Sequence, residues 1–282
     1  MSEPLQENLQ SHVKEIARPR DPYLANGGHF YVQEYIRQEL AQWGEVEVHE
    51  FQVRGKTHQN FILDLPNDTN TQKPPILIGA HYDAVIGSPG ADDNATGVAV
   101  LLELARIFAA EPGHYPLRLV AFDLEEYNLL GSFCYASKLR RQEQPLRLTI
   151  SLEMLGYCNH NPGSQQYPPG LNFFYPSKGD FIALIGNLPT LLDLIHISYH
   201  IKNTGIPCEW LPVAIRGLLL PDTRRSDHAP FWDNGYPAIM VTDTANLRNP
   251  HYHQPSDTID TVDFEFLTGV LKGLATGIRN IR

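Results

Sequence analysis

The chain has 282 residues, of which 22 are Lys or Arg and 32 are Asp or Glu, so its formal charge is −10. A net acidic chain is a poor candidate for binding nucleic acid or an anionic membrane, because both require a basic surface. Hydrophobic residues make up 42% and charged residues 19%, as in ordinary globular proteins, so we expect one folded domain over residues 1–282 and not a disordered chain.

Transport signals and a cysteine framework are both missing from the sequence pattern. No run approaches the roughly 18 uncharged apolar residues that span a bilayer, and the start MSEPLQENLQ lacks a basic segment followed by an apolar one. We therefore expect a cytoplasmic protein that makes no membrane contact. The cysteines Cys134, Cys158 and Cys208 are far apart and form no CxxC pair, so we expect three reduced thiols without a catalytic role.

Helical and strand patterns follow one another along the chain. Apolar residues at helical spacing predict two opening helices, Leu5–Ala17 and Phe30–Trp43, and the segments Glu45–Val53 and Asn60–Pro66 then alternate as strands do. Four buried strands and four further helices are predicted after them. The strands are Ile76–Asp83, Leu117–Glu126, Leu148–Met154 and Ala238–Asp243, and the helices are Val98–Ala110, Ser132–Arg140, Leu191–Lys202 and Phe264–Ile281.

This order of elements predicts the fold class. Strands that alternate with helices favour an α/β fold, here a single domain with a mixed, mainly parallel central sheet and helices on both faces. Two segments rich in Pro and Gly, 159–170 and 208–225, are expected to be long surface loops.

Each of the four buried strands ends in residues that bind metals or protons. They are His81 with Asp83, Glu125 with Glu126, Glu153, and Asp243. In an open α/β sheet, ligands bind in the crevice outside the carboxyl ends of the strands, so residues distant in sequence converge there. One such acid alone is usually a solvated loop residue, but four strand ends that carry them together favour a common site.

The first two acidic motifs are GAHYD and GADDNATG. In GAHYD, Asp83 lies two residues after His81 and on the same side of the chain, where it can hold the imidazole so that the other nitrogen faces a metal. A satisfied core histidine is the alternative for this pair. In GADDNATG, Asp92 or Asn94 is expected to cap the following helix, which leaves Asp93 free for other work.

The later motifs add further carboxylates and histidines. The adjacent Glu125 and Glu126 repel each other unless a cation lies between them or one takes up a proton. A metal resolves this conflict, because one glutamate can coordinate it while the other accepts a proton from water; two solvated loop glutamates are the alternative. Glu153 lies inside an apolar run and needs a partner such as a metal. A Pro-bracketed loop adds His251 and His253.

Six blocks of the chain, taken together, resemble a known family. The blocks AHYD, GADDNATG, FDLEEYNLLGS, SLEMLGY, SDHAPF and YHQPSDT run from about Pro74 to the end of the chain. They resemble the two-zinc aminopeptidase family that also contains glutamate carboxypeptidases and, as a divergent branch, glutaminyl cyclases.

The resemblance implies a role for each matched residue. It implies that one zinc is held by His81, Asp93 and Glu153, and that a second is held by Asp93, Glu126 and His253, with Asp93 as the bridge. It also implies that Glu125 is the general base and that Asp83 orients His81. Asp227 and His228 of SDHAPF border the site in the family, and we assign them no role.

The expected cofactor is zinc, with two ions per chain. Glu153 departs from the better known aminopeptidases of the family, which carry Asp there, so a single zinc is the alternative. One histidine per metal with carboxylates elsewhere suits zinc, although Mn and Co also fit such ligand sets.

The expected activity is that of a zinc metallopeptidase, an aminopeptidase that hydrolyses the N-terminal residue of a peptide. A net acidic site suits the substrate's ammonium group. One alternative is a glutaminyl-peptide cyclotransferase, ranked lower because that branch alters the GADD block. Another is a carboxypeptidase on acidic peptides, with Arg224 and Arg225 capturing a carboxylate. A third is a metal-free binding homologue.

The pocket walls are expected from loops such as Gln165–Phe174 and Leu211–Pro221; the sequence leaves side-chain preference and oligomeric state open.

Overall fold

The central feature of the fold is a sheet of eight strands within residues 3–69 and 71–282, the part of the chain that this computed structural model describes. The strands are β1 Val46–Val53, β2 Lys56–Leu65, β3 Ile76–His81, β4 Leu117–Phe122, β5 Leu148–Glu153, β6 Ile182–Asn187, β7 Cys208–Val213 and β8 Ala238–Thr242. Their order across the sheet is β1-β2-β4-β3-β5-β8-β6-β7.

The middle of the sheet is parallel. Strand β3 pairs in parallel with β4 and β5, and β5 pairs in parallel with β8. The pairs β1–β2, β2–β4 and β6–β8 are antiparallel, while β6–β7 is parallel. Because parallel strands end at the same edge, the last residues of β3, β4, β5 and β8 all reach one edge of the sheet. In the register, His81 lies opposite Phe122, and Glu153 lies opposite Thr242.

Helices cover both faces of the sheet. They are α1 Glu3–Ile16, α2 Asn26–Ala41, α3 Gly97–Ala110, α4 Leu130–Arg141, α5 Leu191–Lys202, α6 His228–Asp233 and α7 Phe264–Arg279. The alternation of side chains along β3 divides the core: Ile76 and Ile78 belong to the cluster that contains residues of α1, α2, α3, α5 and α7, and Leu77 belongs to the cluster that contains residues of α4 and α6. In the part of the chain described, none of these helices combines the length and apolar character needed to cross a bilayer.

The predicted α/β class is confirmed, but the prediction for residues 208–225 is wrong at its start. That segment begins with strand β7, which pairs with β6 and lies at the edge of the sheet. Strand β7 contains Pro212, which lacks a backbone N–H and is tolerated in a sheet mainly at an edge. Because proline is typical of loops, the sequence pattern did not predict this strand. Strand β6 and helix α6 were also missed.

Candidate metal centre

The five side chains implied as metal ligands lie together at the carboxyl edge of the sheet. His81 and Glu153 are the last residues of β3 and β5, and Glu126 follows β4. Asp93 lies in the turn before α3, and His253 lies in the loop after β8. These five residues form two groups of donor atoms, each within 4.8 Å, His81–Asp93–Glu153 and Asp93–Glu126–His253, and Asp93 belongs to both. Glu125 forms a third such group with His81 and Glu126.

The two oxygens of Asp93 face different histidines. His81 Nε2 lies 3.3 Å from Asp93 Oδ1, whereas His253 Nε2 lies 3.3 Å from Asp93 Oδ2. Each histidine also has a glutamate beside it. His81 Nε2 is 3.6 Å from Glu153 Oε1, and His253 Nε2 is 3.3 Å from Glu126 Oε2. Asp93 could therefore supply one oxygen to each of two cation sites, and each site would also have one histidine and one further carboxylate.

Unpaired polar atoms show that this donor set fits a metal. His81 Nε2 and Glu126 Oε1 are buried and have no hydrogen-bond partner among the described residues. An unpaired buried polar atom costs about 1–3 kcal/mol, so such atoms are rare unless a ligand or water pairs with them. Imidazole nitrogen and carboxylate oxygen suit zinc and also manganese and cobalt. The residues present therefore fit one or two divalent cations.

Burial and the neighbouring carboxylates shift the pKa values of the candidate ligands. Burial disfavours the charged form of His81, but the carboxylates of Glu125 and Glu153 outweigh it, so the pKa of His81 lies well above its ordinary value. Burial raises the pKa of Glu126 to about 7, and the charge of Asp93 adds to this effect. Without a cation, protons relieve the repulsion between the carboxylates. A divalent cation would displace those protons, so metal affinity should increase with pH.

Asp83 lies beside the ring of His81 and holds the turn that carries the two glutamates. Its Oδ1 atom lies 3.4 Å from His81 Nδ1. Its two oxygens also accept the backbone N–H groups of Glu125 and Glu126, at 3.1 and 3.2 Å. Glu125 Oε2 lies 4.0 Å from His81 Nε2, and burial raises the pKa of Glu125 well above its usual range. Asp83 can thus position a ligand and a candidate base at the same time.

The other residues named by the sequence patterns lie outside the donor groups, and all but Asp227 have hydrogen-bond partners of their own in the part of the chain described. Asn94 Oδ1 accepts the N–H of Gly97 at 3.1 Å, so Asn94 makes the expected capping contact at the start of α3, while Asp92 accepts the N–H of Gly156. Asp227 is buried, and its carboxylate has no hydrogen-bond partner among the described residues. The other contacts are His251 Nδ1 with Ser256 Oγ at 2.9 Å, His228 Nε2 with the Thr223 carbonyl at 2.7 Å, and the Asp243 carboxylate with the N–H groups of Tyr157 and Ala245.

Two further residues, which the sequence analysis missed, hold the turn that carries Asp93. The Arg20 guanidinium is fully buried and donates to the carbonyl oxygens of Gly90 at 2.8 Å and Asp93 at 3.2 Å. Asp257 accepts the N–H groups of Asp92 and Asp93 at 2.9 and 3.1 Å. Asp257 belongs to the YHQPSDT block, so the sequence marked it as a residue near the site. Arg20 lies in the segment ARPRDP, which carries no motif.

Two adjoining cavities open beside the ligands. One, of about 500 Å³, is lined by Glu153, Arg225, Tyr252 and neighbouring residues. The second, of about 540 Å³, is mainly apolar and shares Ile185 and Leu247 with the first. Its other walls include Gln165, Tyr167, Leu171, Phe181, Trp210 and Leu211. The expected loop Gln165–Phe174 therefore contributes to the pocket, whereas the segment Leu211–Pro221 contributes only Leu211, which lies in strand β7.

The structure separates the two arginines that could have captured a carboxylate together. Arg224 Nη2 lies 2.6 Å from Asp233 Oδ2 and is occupied by that ion pair. Arg225 lines the cleft beside Glu153, and its guanidinium donates to Asn246 Oδ1 and to the Tyr252 hydroxyl. Arg224 is therefore not available to act together with Arg225 on one carboxylate, the alternative that the sequence left open.

Comparison with known proteins identifies relatives of the chain. The sequence model of peptidase family M28 matches residues 60–176 and 219–276. The uncharacterized protein YfbL of Escherichia coli K12 is 36% identical over 265 residues, which are 88% of this chain and 79% of that protein. Aminopeptidase YwaD of Bacillus subtilis is 29% identical over 221 residues, which are 75% of this chain but 42% of that protein.

Solved structures share the fold. A zinc aminopeptidase from Bacillus subtilis superposes with a TM-score of 0.58 at 27% identity, over 79% of this chain and 50% of that one. A leucine aminopeptidase precursor from Bacteroides thetaiotaomicron has a TM-score of 0.73 at 18% identity, over 98% and 97% of the two chains. The chain thus spans about half the length of several relatives. The segments matched by the family model contain all five candidate ligands, and the chain belongs to peptidase family M28.

Proposed function

We propose that this chain is a zinc-dependent aminopeptidase that hydrolyses the N-terminal residue of a peptide. The observation that carries the proposal is the pair of donor groups that share Asp93, with Glu125 next to one of them. Aminopeptidases among the relatives support it, including the Bacillus subtilis enzyme.

The residues of the site have separate tasks in this proposal. His81, Asp93 and Glu153 would hold one cation, and Asp93, Glu126 and His253 the other. When bound, the cations would polarise the scissile carbonyl and lower the pKa of water at the site. Glu125 takes the proton from the attacking water and returns it to the leaving amine. Burial raises the pKa of Glu125 above its ordinary value, which makes its carboxylate a stronger base towards the proton of water.

The cavities beside the ligands support an apolar residue at the N-terminus of the substrate. The smaller part of the cleft begins at Glu153 and leads, past Ile185 and Leu247, to the apolar cavity walled by Phe181 and Trp210. An apolar side chain would remove this surface from water, at about 25 cal/mol for each Å² buried. The carboxylates of Glu153 and Asp222, which line the cavity next to the ligands, favour the free ammonium group of such a substrate.

The test is a panel of substrates assayed with and without zinc. Aminoacyl chromogenic amides of Leu, Phe, Ala, Glu and Lys are compared with their N-acetylated forms. We expect cleavage of the free amides, led by Leu or Phe, loss of activity after chelation, and recovery with zinc or cobalt. Glu125→Gln, purified in parallel, reports any contaminating peptidase. If the free amides remain intact with metal bound, the aminopeptidase proposal is wrong.

Arg225 supports one second candidate, hydrolysis of a peptide bond close to a substrate carboxylate. Its guanidinium has no carboxylate partner among the described residues and lies in the same cleft as Glu153. An N-blocked dipeptide with a C-terminal Glu tests this activity, and release of free Glu would favour it. A peptide with an N-terminal Gln completes the panel, because formation of a pyroglutamyl product would instead indicate a cyclotransferase.

A further inference from the structure

A second cluster of metal-binding side chains lies outside the site described above. Cys158, His160 and Asp263 each place one donor atom within 4.8 Å of the other two. Cys158 and His160 follow β5, and Asp263 immediately precedes α7. None of the three belongs to the candidate ligand set of the peptidase site.

The geometry of the cluster resembles that of ligands around one cation. Cys158 Sγ lies 3.7 Å from His160 Nε2. Two tetrahedral ligands of zinc, at about 2.3 Å for sulfur and 2.0–2.1 Å for nitrogen, stand about 3.6 Å apart. The other ring nitrogen, His160 Nδ1, lies 3.4 Å from Asp180 Oδ2. A carboxylate behind a histidine fixes the ring and its tautomer so that the opposite nitrogen can bind a metal.

Backbone hydrogen bonds hold the three segments together without any metal. The N–H of Asp263 donates to the Gly156 carbonyl at 2.8 Å, close to Cys158. The N–H of Asn159 donates to the Gly179 carbonyl at 2.8 Å, next to Asp180. One oxygen of Asp263 accepts the N–H of Phe266, which leaves Oδ2 for another partner. The backbone segments that carry the donor side chains are therefore held next to one another without a cation.

We propose that Cys158, His160 and Asp263 form a separate binding site for a thiophilic divalent cation such as zinc, with Asp180 as the residue that orients His160. A thiolate, a carboxylate and a neutral imidazole carry two negative charges, which balance one divalent cation. Water can complete a tetrahedron, since His160 is largely exposed. The site would connect the segment after β5, part of which walls the apolar cavity, to the start of α7.

Binding at this site must release a proton. Burial, to which the carboxylate of Asp263 adds, raises the pKa of the Cys158 thiol to about 11, so the thiol is protonated at neutral pH without a metal. A cation binds the thiolate, and the thiol proton passes to solvent. The affinity of the site should therefore rise with pH.

Cobalt spectroscopy tests the proposal independently of peptidase activity. The full chain is stripped with a chelator and titrated with Co²⁺. Only a cysteine ligand gives a thiolate-to-cobalt charge-transfer band in the near ultraviolet, and the peptidase donor set contains no cysteine. We expect such a band in the wild type, bleached by added zinc and absent in Cys158→Ser and His160→Ala. Asp180→Asn should weaken cobalt binding roughly 10- to 100-fold.

Cys134→Ser is the matched control, because Cys134 is also free and partly buried but lies on α4 and belongs to no donor group among the described residues. It should keep the band. Cys158→Ser should also keep the far-ultraviolet circular dichroism spectrum and the unfolding midpoint of the metal-free wild type, which shows that the variant folds. A wild type without the band under excess Co²⁺, or a band that survives in Cys158→Ser, would overturn the proposal.

Discussion

Glu125 and Glu126 are neighbours in sequence but face different partners. Glu126 Oε2 lies 3.3 Å from His253 Nε2, within the group that includes Asp93, whereas Glu125 Oε2 lies 4.0 Å from His81 Nε2. We expect Glu125→Gln to keep its zinc and lose about 10²- to 10⁴-fold in rate, because an amide cannot accept a proton at neutral pH. Glu126→Gln should release metal, because an amide is a poorer ligand than a carboxylate.

Zinc stoichiometry and turnover, measured on both variants, separate the two roles. Loss of metal from Glu125→Gln and retention by Glu126→Gln would reverse the assignment. If both variants keep metal and full activity, Glu125 is not the general base and Glu126 is not a metal ligand.

The sequence predicted those site residues whose type and position both point to metal binding. His81, Glu126 and Glu153 stand at or just after the ends of apolar runs, so their convergence followed from the fold class alone. Arg20 could not be found in this way. Its partners are backbone carbonyl oxygens, which every residue has, and its contact with the Asp93 turn spans 73 positions of the chain.

Strand β3 positions His81, and its packing leaves no room for a larger residue at Gly79. A Cβ atom there would lie 2.3 Å from Cε2 of Phe122, whose ring is buried. We expect Gly79→Ala to lower the free energy of unfolding by about 1–3 kcal/mol, because the core must shift to admit the methyl group. His81 is two residues further along the same strand, so zinc affinity should fall as well. Urea unfolding of the metal-free protein measures the first effect, and zinc titration measures the second.

Gly27→Ala is the control for that strand variant. A Cβ atom at Gly27, in helix α2, meets nothing within 4 Å. Alanine also favours a helix over glycine by up to about 1 kcal/mol, so this variant should be as stable as the wild type or more so. If Gly79→Ala proves equally stable, the close contact between β3 and Phe122 is wrong.

The elements that the sequence predicted have either a continuous apolar run or a clear apolar period, although strand β6, which is also apolar and largely buried, was missed. Strands β3, β4, β5 and β8 are almost entirely buried, and α7 has apolar residues at helical spacing, so all five were predicted. Strand β7 is only partly buried and contains Pro212, which gave it the composition of a loop. Helix α6 has six residues, less than two full turns, too few to establish a helical period.

On the scale of the whole molecule, the N-terminal region reaches the candidate metal centre from outside the family match. The segments matched by the family model begin at residue 60, so α1, α2 and the segment between them lie before it. Arg20, in that segment, donates to carbonyl oxygens on both sides of the site, at Tyr82 after β3 and at Gly90 and Asp93 before α3. One side chain thus joins three parts of the chain.

Removal of this link should destabilise the whole fold. Arg20 is fully buried, burial lowers its pKa, and the surrounding charges of Asp93 and Asp257 oppose that shift. Arg20→Met would leave these acids and the carbonyl oxygens without their cation, so we expect a loss of about 3–5 kcal/mol in the free energy of unfolding of the metal-free protein. Arg20→Lys should recover only part of it, because an ammonium group cannot reach all six carbonyl oxygens to which the guanidinium donates. Arg37→Met, which removes an exposed arginine of α2, should leave the unfolding temperature unchanged. Thermal and urea unfolding, followed by circular dichroism, compare the three variants; an Arg20→Met protein as stable as Arg37→Met would show that the N-terminal region does not support the site.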